Sequence, residues 1–178
     1  SAASDVYKRQ NMGYVGSYVW QLRQKVGDKK LLTTTVDVLP VDEAGRVKLI
    51  YAKAFDRWST VGGHVEEGDS YASAALHELR EEAGITARAS DLELFATQSG
   101  PGRVYHYPDG DTQAFTVVFC LKQWHSEASH TDTEEVSTGQ WFSLDEALRL
   151  NTNDATRQIL TAYQRYNETG VVQMIEER

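Results

Sequence analysis

Val15, Tyr18, Val19, Leu22 and Val26 recur at three- and four-residue spacing and stop at Gly27, which predicts an amphipathic helix. Residues 1–12, ending on Met12, show no clean period and read as an appended or artefactual leader, apart from a single domain over 13–178. Leu31 to Leu39 and Val47 to Ala54 are rich in apolar and β-branched residues. With turn chemistry at Asp42 to Gly45 between them, they predict a hairpin. Further strands are expected at Leu92–Thr97, Arg103–Tyr107, Thr112–Lys122 and Gly139–Phe142, punctuated by Gly100-Pro-Gly102 and Pro108-Asp-Gly110. Ser143 can cap a short helix through Leu150, and Asp154 to Tyr166 is a second helical pattern. Strands come in groups with helices inserted, without regular β-α-β alternation, so the expectation is an α/β protein with a mixed sheet flanked by helices.

Composition narrows the partners more than the fold. The 178 residues include 18 Lys plus Arg against 26 Asp plus Glu, a formal net charge of −8. That balance lacks the basic surplus with which proteins grip long nucleic acid. A phosphorylated small molecule remains compatible if divalent cations stand between the negative charges. No apolar run reaches the length of a membrane span, so a cytoplasmic protein without membrane partners is expected. The single cysteine, Cys120, sits in a strand-like run and reads as a small buried hydrophobe. The five histidines show no metal spacing with it, and Gly62, Gly63 and Gly68 are not followed by the Lys-Ser or Lys-Thr of a Walker loop.

The chemistry is concentrated between Trp58 and Ile85, a glycine-rich loop followed by a helix from about Ser70 to Ala83. Asp69 or Ser70 can accept from the first free N–H groups, and Gly84 can close the helix in the left-handed conformation. At about 100° per residue, Ala72, Ala75, Leu76, Leu79 and Ala83 fall on one arc, the expected core face. Glu78, Glu81 and Glu82 fall on another. Such a cluster is mildly unfavourable in isolation, and is either a solvated acidic face or the ligand set of a hard divalent cation.

This stretch resembles the Nudix box, in which glycine, five residues, glutamate and seven residues precede arginine, glutamate, aliphatic, any, glutamate, glutamate, any, glycine, aliphatic. Gly63, Glu78, Leu79, Glu81, Glu82, Gly84 and Ile85 match seven of nine fixed positions. Asp69 stands where the box has glutamate and His77 where it has arginine, and Val61 replaces a proline often found before the glycine pair. The first two departures bear on metal affinity and rate: Asp69 is one methylene shorter, and His77 lacks a permanent charge and a five-donor fork.

The resemblance implies an α/β/α sandwich and a Mg²⁺-dependent pyrophosphohydrolase, with Mn²⁺ as a substitute, acting on the diphosphate linkage of a nucleoside diphosphate derivative, ADP-ribose-like or a nucleoside triphosphate. It implies that Glu78, Glu81 and Glu82 are metal ligands and catalytic groups, with Glu78 one candidate base and the Gly62 carbonyl a further ligand. Another glutamate before the late tryptophan strand often completes such sites; Glu135 is the candidate and Glu134 the alternative. Tyr105-His-Tyr-Pro-Asp-Gly-Asp111 resembles a segment of Nudix proteins grouped with ADP-ribose pyrophosphatases. Tyr105 or Phe115 could stack on a base, and Arg57 and Arg103 could meet phosphate oxygens, although each also has an ordinary place in a core or on a surface. The resemblance leaves room for a homodimer. Two other activities fit the same scaffold: a nucleotide-binding module with weak turnover, and an isoprenoid diphosphate isomerase, which would need a cysteine acid that mid-strand Cys120 does not supply.

Overall fold

The computed structural model describes residues 15–178 except 54, 108 and 129–135; the leader expected at 1–12 lies outside the described residues. In chain order the first elements are α1 (Tyr18–Val26), β1 (Leu31–Pro40), β2 (Val47–Ala52), β3 (Arg57–Ser59), β4 (Val61–His64), α2 (Tyr71–Ala83) and β5 (Ile85–Thr86). A turn of 3-10 helix then leads to β6 (Leu92–Ser99), β7 (Val104–Tyr107), β8 (Gly110–Leu121) and β9 (Ser126–Glu127). The chain continues through β10 (Val136–Phe142), α3 (Leu144–Ala147), α4 (Asp154–Thr169) and β11 (Gln173–Glu176).

Alternation along β1 and β8 organises the interior. These strands pair in parallel, so Val38 and Phe119 point one way while Leu39 and Cys120 point the other. Val36, Val38, Val61 and Leu121 pack with Ala74, Ala75, Leu79 and Ala83 of α2. Leu39, Val118, Cys120, Phe95 and Ala96 pack with Ile159, Leu160 and Tyr163 of α4. The sheet they belong to is mixed: it runs β11, β6, β8, β1, β4, with β7 also on β8, and its β1–β8 and β6–β11 pairs are parallel. A mixed sheet covered by helices on both faces is the expected sandwich. Cys120 is fully buried, and burial pushes its thiol up to about 11, consistent with a packed hydrophobe.

Three sequence expectations change. The predicted β1–β2 hairpin does not form: β1 lies between β4 and β8, whereas β2 joins β3 and β10 in a separate three-stranded sheet. The turn is real, since Asp42 accepts from the N–H groups of Ala44 and Arg46, but the strands diverge after the single bridge Val41–Val47. Both faces of β1 are needed for the two cores, and β2, in its separate sheet, adds Val47 and Leu49 to the core on α4 and Ile50 to the core on α2. Val61–His64, read as loop, is an edge strand antiparallel to β1, and β11 was not foreseen. The apolar stripe expected of the first helix is largely exposed: Val15, ahead of α1, is 59% accessible, and Tyr18 and Val26 are 44% and 42%, while Val19 and Arg23 are buried. Arg23 is drawn inward because its guanidinium donates to the carbonyls of Gly27, Lys29 and Asp111. Among the described residues no helix is long and apolar enough to cross a membrane.

Leu79 is fully buried in the core between α2 and the sheet. Leu79→Ala is expected to lower the unfolding free energy by about 2–5 kcal/mol. Leu32→Ala, at a residue 68% exposed, should change it by less than about 0.5 kcal/mol in the same denaturant titration.

Candidate active site

Local capping sets the phase of α2. The Ser70 hydroxyl accepts from Ser73 N–H at 3.1 Å, the Ser73 hydroxyl accepts from Ser70 N–H at 2.8 Å, and Asp69 takes the Ser73 O–H at 2.8 Å. Gly84 closes the helix at φ 67°, donating to the Leu79 carbonyl. The buried face is Ala74, Ala75, Leu79 and Ala83, with Ala72 and Leu76 only half-buried, so the core arc is centred on Ala75 and Leu79 and takes in Ala74. Glu78 and Glu82, one turn apart, are half-buried against β4.

The glycine pair of β4 explains that approach. Gly62 is paired with Asp37 on β1, and Val65 N–H bonds the Thr34 carbonyl, so the antiparallel ladder turns the peptide groups of Gly62 away from β1 to the open edge. There Gly62 N–H donates to Glu82 Oε2 at 3.0 Å. A Cβ on Gly63 would run into the Glu78 carboxylate, with Glu78 Cδ at 2.7 Å. A Cβ on Gly62 would instead meet the Val36 carbonyl and Asp37, with Asp37 Cα at 3.1 Å. Gly62 is thus required by strand packing, whereas Gly63 makes room for a flexible carboxylate.

Gly62, Glu78 and Glu82 are therefore brought together. Glu81 is turned to solvent, its Oε1 2.9 Å from His77 Nε2, both side chains more than half exposed. Glu135 and Glu134 lie outside the described residues. Among the described residues no three His, Cys, Asp or Glu side chains are gathered at metal-holding spacing. Two half-buried carboxylates beside an outward carbonyl nevertheless suit Mg²⁺, which takes one or two protein carboxylates and fills its octahedron with water and phosphate oxygens.

On the opposite face of the sheet, the face that packs on α4, lies a buried polar cluster. Asp37 accepts from the Thr60 hydroxyl at 2.7 Å, and Arg103 Nη2 stands 3.7 Å from Asp37 Oδ2. Burial pushes the Asp37 carboxyl up to about 6 despite Arg103 and Thr60, which pull it down. Arg103, 5% exposed, donates to the Thr116 hydroxyl at 3.4 Å and lies over the Tyr105 ring at 5.0 Å. Burial also raises the Tyr105 phenol. The sequence reading missed Asp37; its signal was a lone acid inside an apolar, β-branched strand.

The four candidate recognition residues do not share one place. Arg103 and Tyr105 sit with Asp37. Phe115, paired with Thr34, faces the α2 side and lines a groove of about 390 Å³ with Tyr18, Leu32 and His64. The sheet separates Tyr105 from Phe115, so the two rings cannot stack on one base. Arg57 is exposed on β3.

An α/β sandwich that brings two helix carboxylates to a glycine pair on an edge strand has the donor chemistry to hold a hard divalent cation. The chain belongs to the Nudix family: residues 31–163 match the sequence model described as the NUDIX domain. It is 27% identical over 131 residues to the nucleoside triphosphatase NudI of Enterobacter sp. (strain 638), covering 70% of this chain and 92% of that one. It is 28% identical over 96 residues to diphosphoinositol polyphosphate phosphohydrolase 2 of Rattus norvegicus, covering 53% of this chain and only 48% of that relative. The fold is similar to the MutT protein of Methanosarcina mazei Go1, with a TM-score of 0.62, 21% identity and coverage of 79% and 99%. It is also similar to a C. elegans Ap4A hydrolase, with a TM-score of 0.58, 18% identity and coverage of 76% and 98%. The protein is a Nudix hydrolase, and enzymes of this family use divalent metal ions.

The Asp37 cluster generates a pH-dependent expectation. A carboxyl whose folded pKa is raised from 3.8 to about 6 contributes its full stability below pH 4 and loses it as the pH rises through 6. Asparagine cannot ionise. The stability of Asp37→Asn relative to the parent should therefore rise between pH 4 and pH 7.5, by up to about 3 kcal/mol for a two-unit shift. Denaturant unfolding of both proteins at the two pH values measures it; a difference independent of pH would contradict the buried, ionising Asp37.

Proposed function

We propose that the protein hydrolyses the diphosphate linkage of a small nucleotide, a nucleoside triphosphate or an ADP-ribose-like nucleoside diphosphate derivative, with Mg²⁺ held by Glu78 and Glu82 and with Mn²⁺ able to substitute. The observation that carries this reading is the convergence of Glu82 on the Gly62 amide and of Glu78 on Gly63. When bound there, the metal would neutralise the diphosphate and lower the pKa of an attacking water. The residues of the chain supply the placement. Gly62 N–H holds the Glu82 carboxylate at the edge strand, and that carboxylate and the outward Gly62 carbonyl are the donors proposed for the metal. Glu78, half-buried one turn earlier, is the second ligand or the base that takes the water proton.

Glu81 belongs to an outer position, with its carboxylate beside the His77 imidazole. Glu135 is carried as a further carboxylate by resemblance alone. Arg103 and Tyr105, with Asp37, are the groups proposed to meet the rest of the substrate; Arg57 and Phe115 lie elsewhere on the surface. A nucleoside triphosphate is placed first because the NudI relative is matched over 92% of its length. The net charge of −8 argues for a small, metal-complexed substrate over long nucleic acid.

Glu82→Gln should fold normally and lose at least tenfold in turnover, about 1.4 kcal/mol of transition-state stabilisation. Chelation should abolish hydrolysis of nucleoside triphosphates and nucleoside diphosphate sugars, with Mg²⁺ or Mn²⁺ restoring it and Ca²⁺ doing so poorly. Turnover without any divalent cation, or unchanged turnover of Glu82→Gln at saturating Mg²⁺, contradicts the proposal.

A further inference from the structure

Lys48 is a buried cation that the site described so far does not use. It lies in β2 at 3% exposure, where an ammonium is costly unless it is paired. Its Nζ donates to Glu127 Oε1 at 2.6 Å and to the Ala83 carbonyl at 3.1 Å. The same Glu127 oxygen accepts from Trp141 Nε1 at 3.3 Å, and Trp141 stacks on Trp124 with centroids 5.6 Å apart. Gly139 leaves room for the lysine stem: a Cβ there would stand 2.6 Å from Lys48 Cε.

Ala83 is the last residue of α2 and follows Glu82 directly. Its carbonyl is at the negative end of the helix, in the turn that also carries Glu82, so an ammonium there offsets charge as well as filling an open acceptor. The arginine of this half of the helix, Arg80, is exposed. From its other side Lys48 holds Glu127, in a segment whose Ala128 N–H bonds the Gly84 carbonyl at 2.9 Å. One buried charge thus ties the end of the carboxylate helix to β9 and β10.

We propose that Lys48 is a positioning residue for Glu82, clamping the last turn of α2 so that the Glu82 carboxylate stays on the Gly62 amide in register to receive a divalent cation. The proposal rests on the reading of Glu82 as a metal ligand, and its test keeps the two apart. Mn²⁺ binding to the resting protein is followed by electron paramagnetic resonance for the parent, Lys48→Met, Lys48→Arg and Glu82→Gln, with thermal unfolding alongside. Lys48→Met keeps the stem and removes the ammonium. It should weaken Mn²⁺ binding roughly tenfold, as loss of a group that orients a ligand does. The Mg²⁺ midpoint of turnover should rise by the same factor, KM at saturating Mg²⁺ should not change, and Lys48→Arg should recover most of the loss. If Lys48→Met does not fold, Lys48→Met combined with Glu127→Met removes both charges together and should show the same weakening. Mn²⁺ affinity equal to the parent in whichever of these proteins folds, with only a lower melting temperature, overturns the proposal and makes Lys48 a packing residue. Parent-like Mn²⁺ binding by Glu82→Gln overturns the metal site itself.

Discussion

The close approach of a helix to an edge strand governs this molecule. Glu78 can lie against β4 because Gly63 carries no side chain, Glu82 is held there by the Gly62 N–H, and the two glycines answer different demands. Gly62 is pressed between the Val36 carbonyl and Asp37, so any larger residue would push the strand off its neighbour. Gly63 faces a carboxylate, the movable end of a flexible side chain. Strand pairing holds the backbone, and the second glycine sets where the charge can sit.

Everything packed around that contact keeps it in register. Leu79 and Ala83 seat the helix on Val36, Val38 and Val61, and the Ser70–Ser73 capping box and Gly84 fix where it starts and stops. The strict alternation of β1 then divides the work of the sheet. Its α2 face carries the aliphatic seat of the helix, and its α4 face carries Asp37, Thr35 and the buried Arg103 before turning apolar at Leu39. A polar cluster at one end of a strand and a core at the other place buried charged groups beside the glycine edge, where Asp37 pairs with Gly62, without breaking the fold.

The helix and its carboxylates were legible in the sequence because the 3.6-residue period, the caps and the spacing are local. The hairpin was misread for the opposite reason. Asp42 to Gly45 does form a turn, but pairing is decided by which surfaces remain to be covered, and β1 finds β8 some eighty residues further on. The edge strand Val61–His64 was hidden by the two glycines that give it its purpose, since glycine depresses strand propensity. Tyr105 and Phe115 looked equivalent as aromatic candidates, and only the register placed them on opposite faces. Lys48 was invisible because a lysine in a strand ordinarily reads as solvent-facing, and its partners lie 35 and 79 positions away.

Gly63→Ala tests the governing contact most directly, because the added methyl meets a side chain that can move and so spares the fold. Mn²⁺ affinity and turnover of the variant should both fall about tenfold or more, with far-ultraviolet circular dichroism unchanged and the unfolding midpoint little altered. A variant that binds Mn²⁺ and turns over like the parent would show that Glu78 does not need its place against the glycine pair, and would contradict the account.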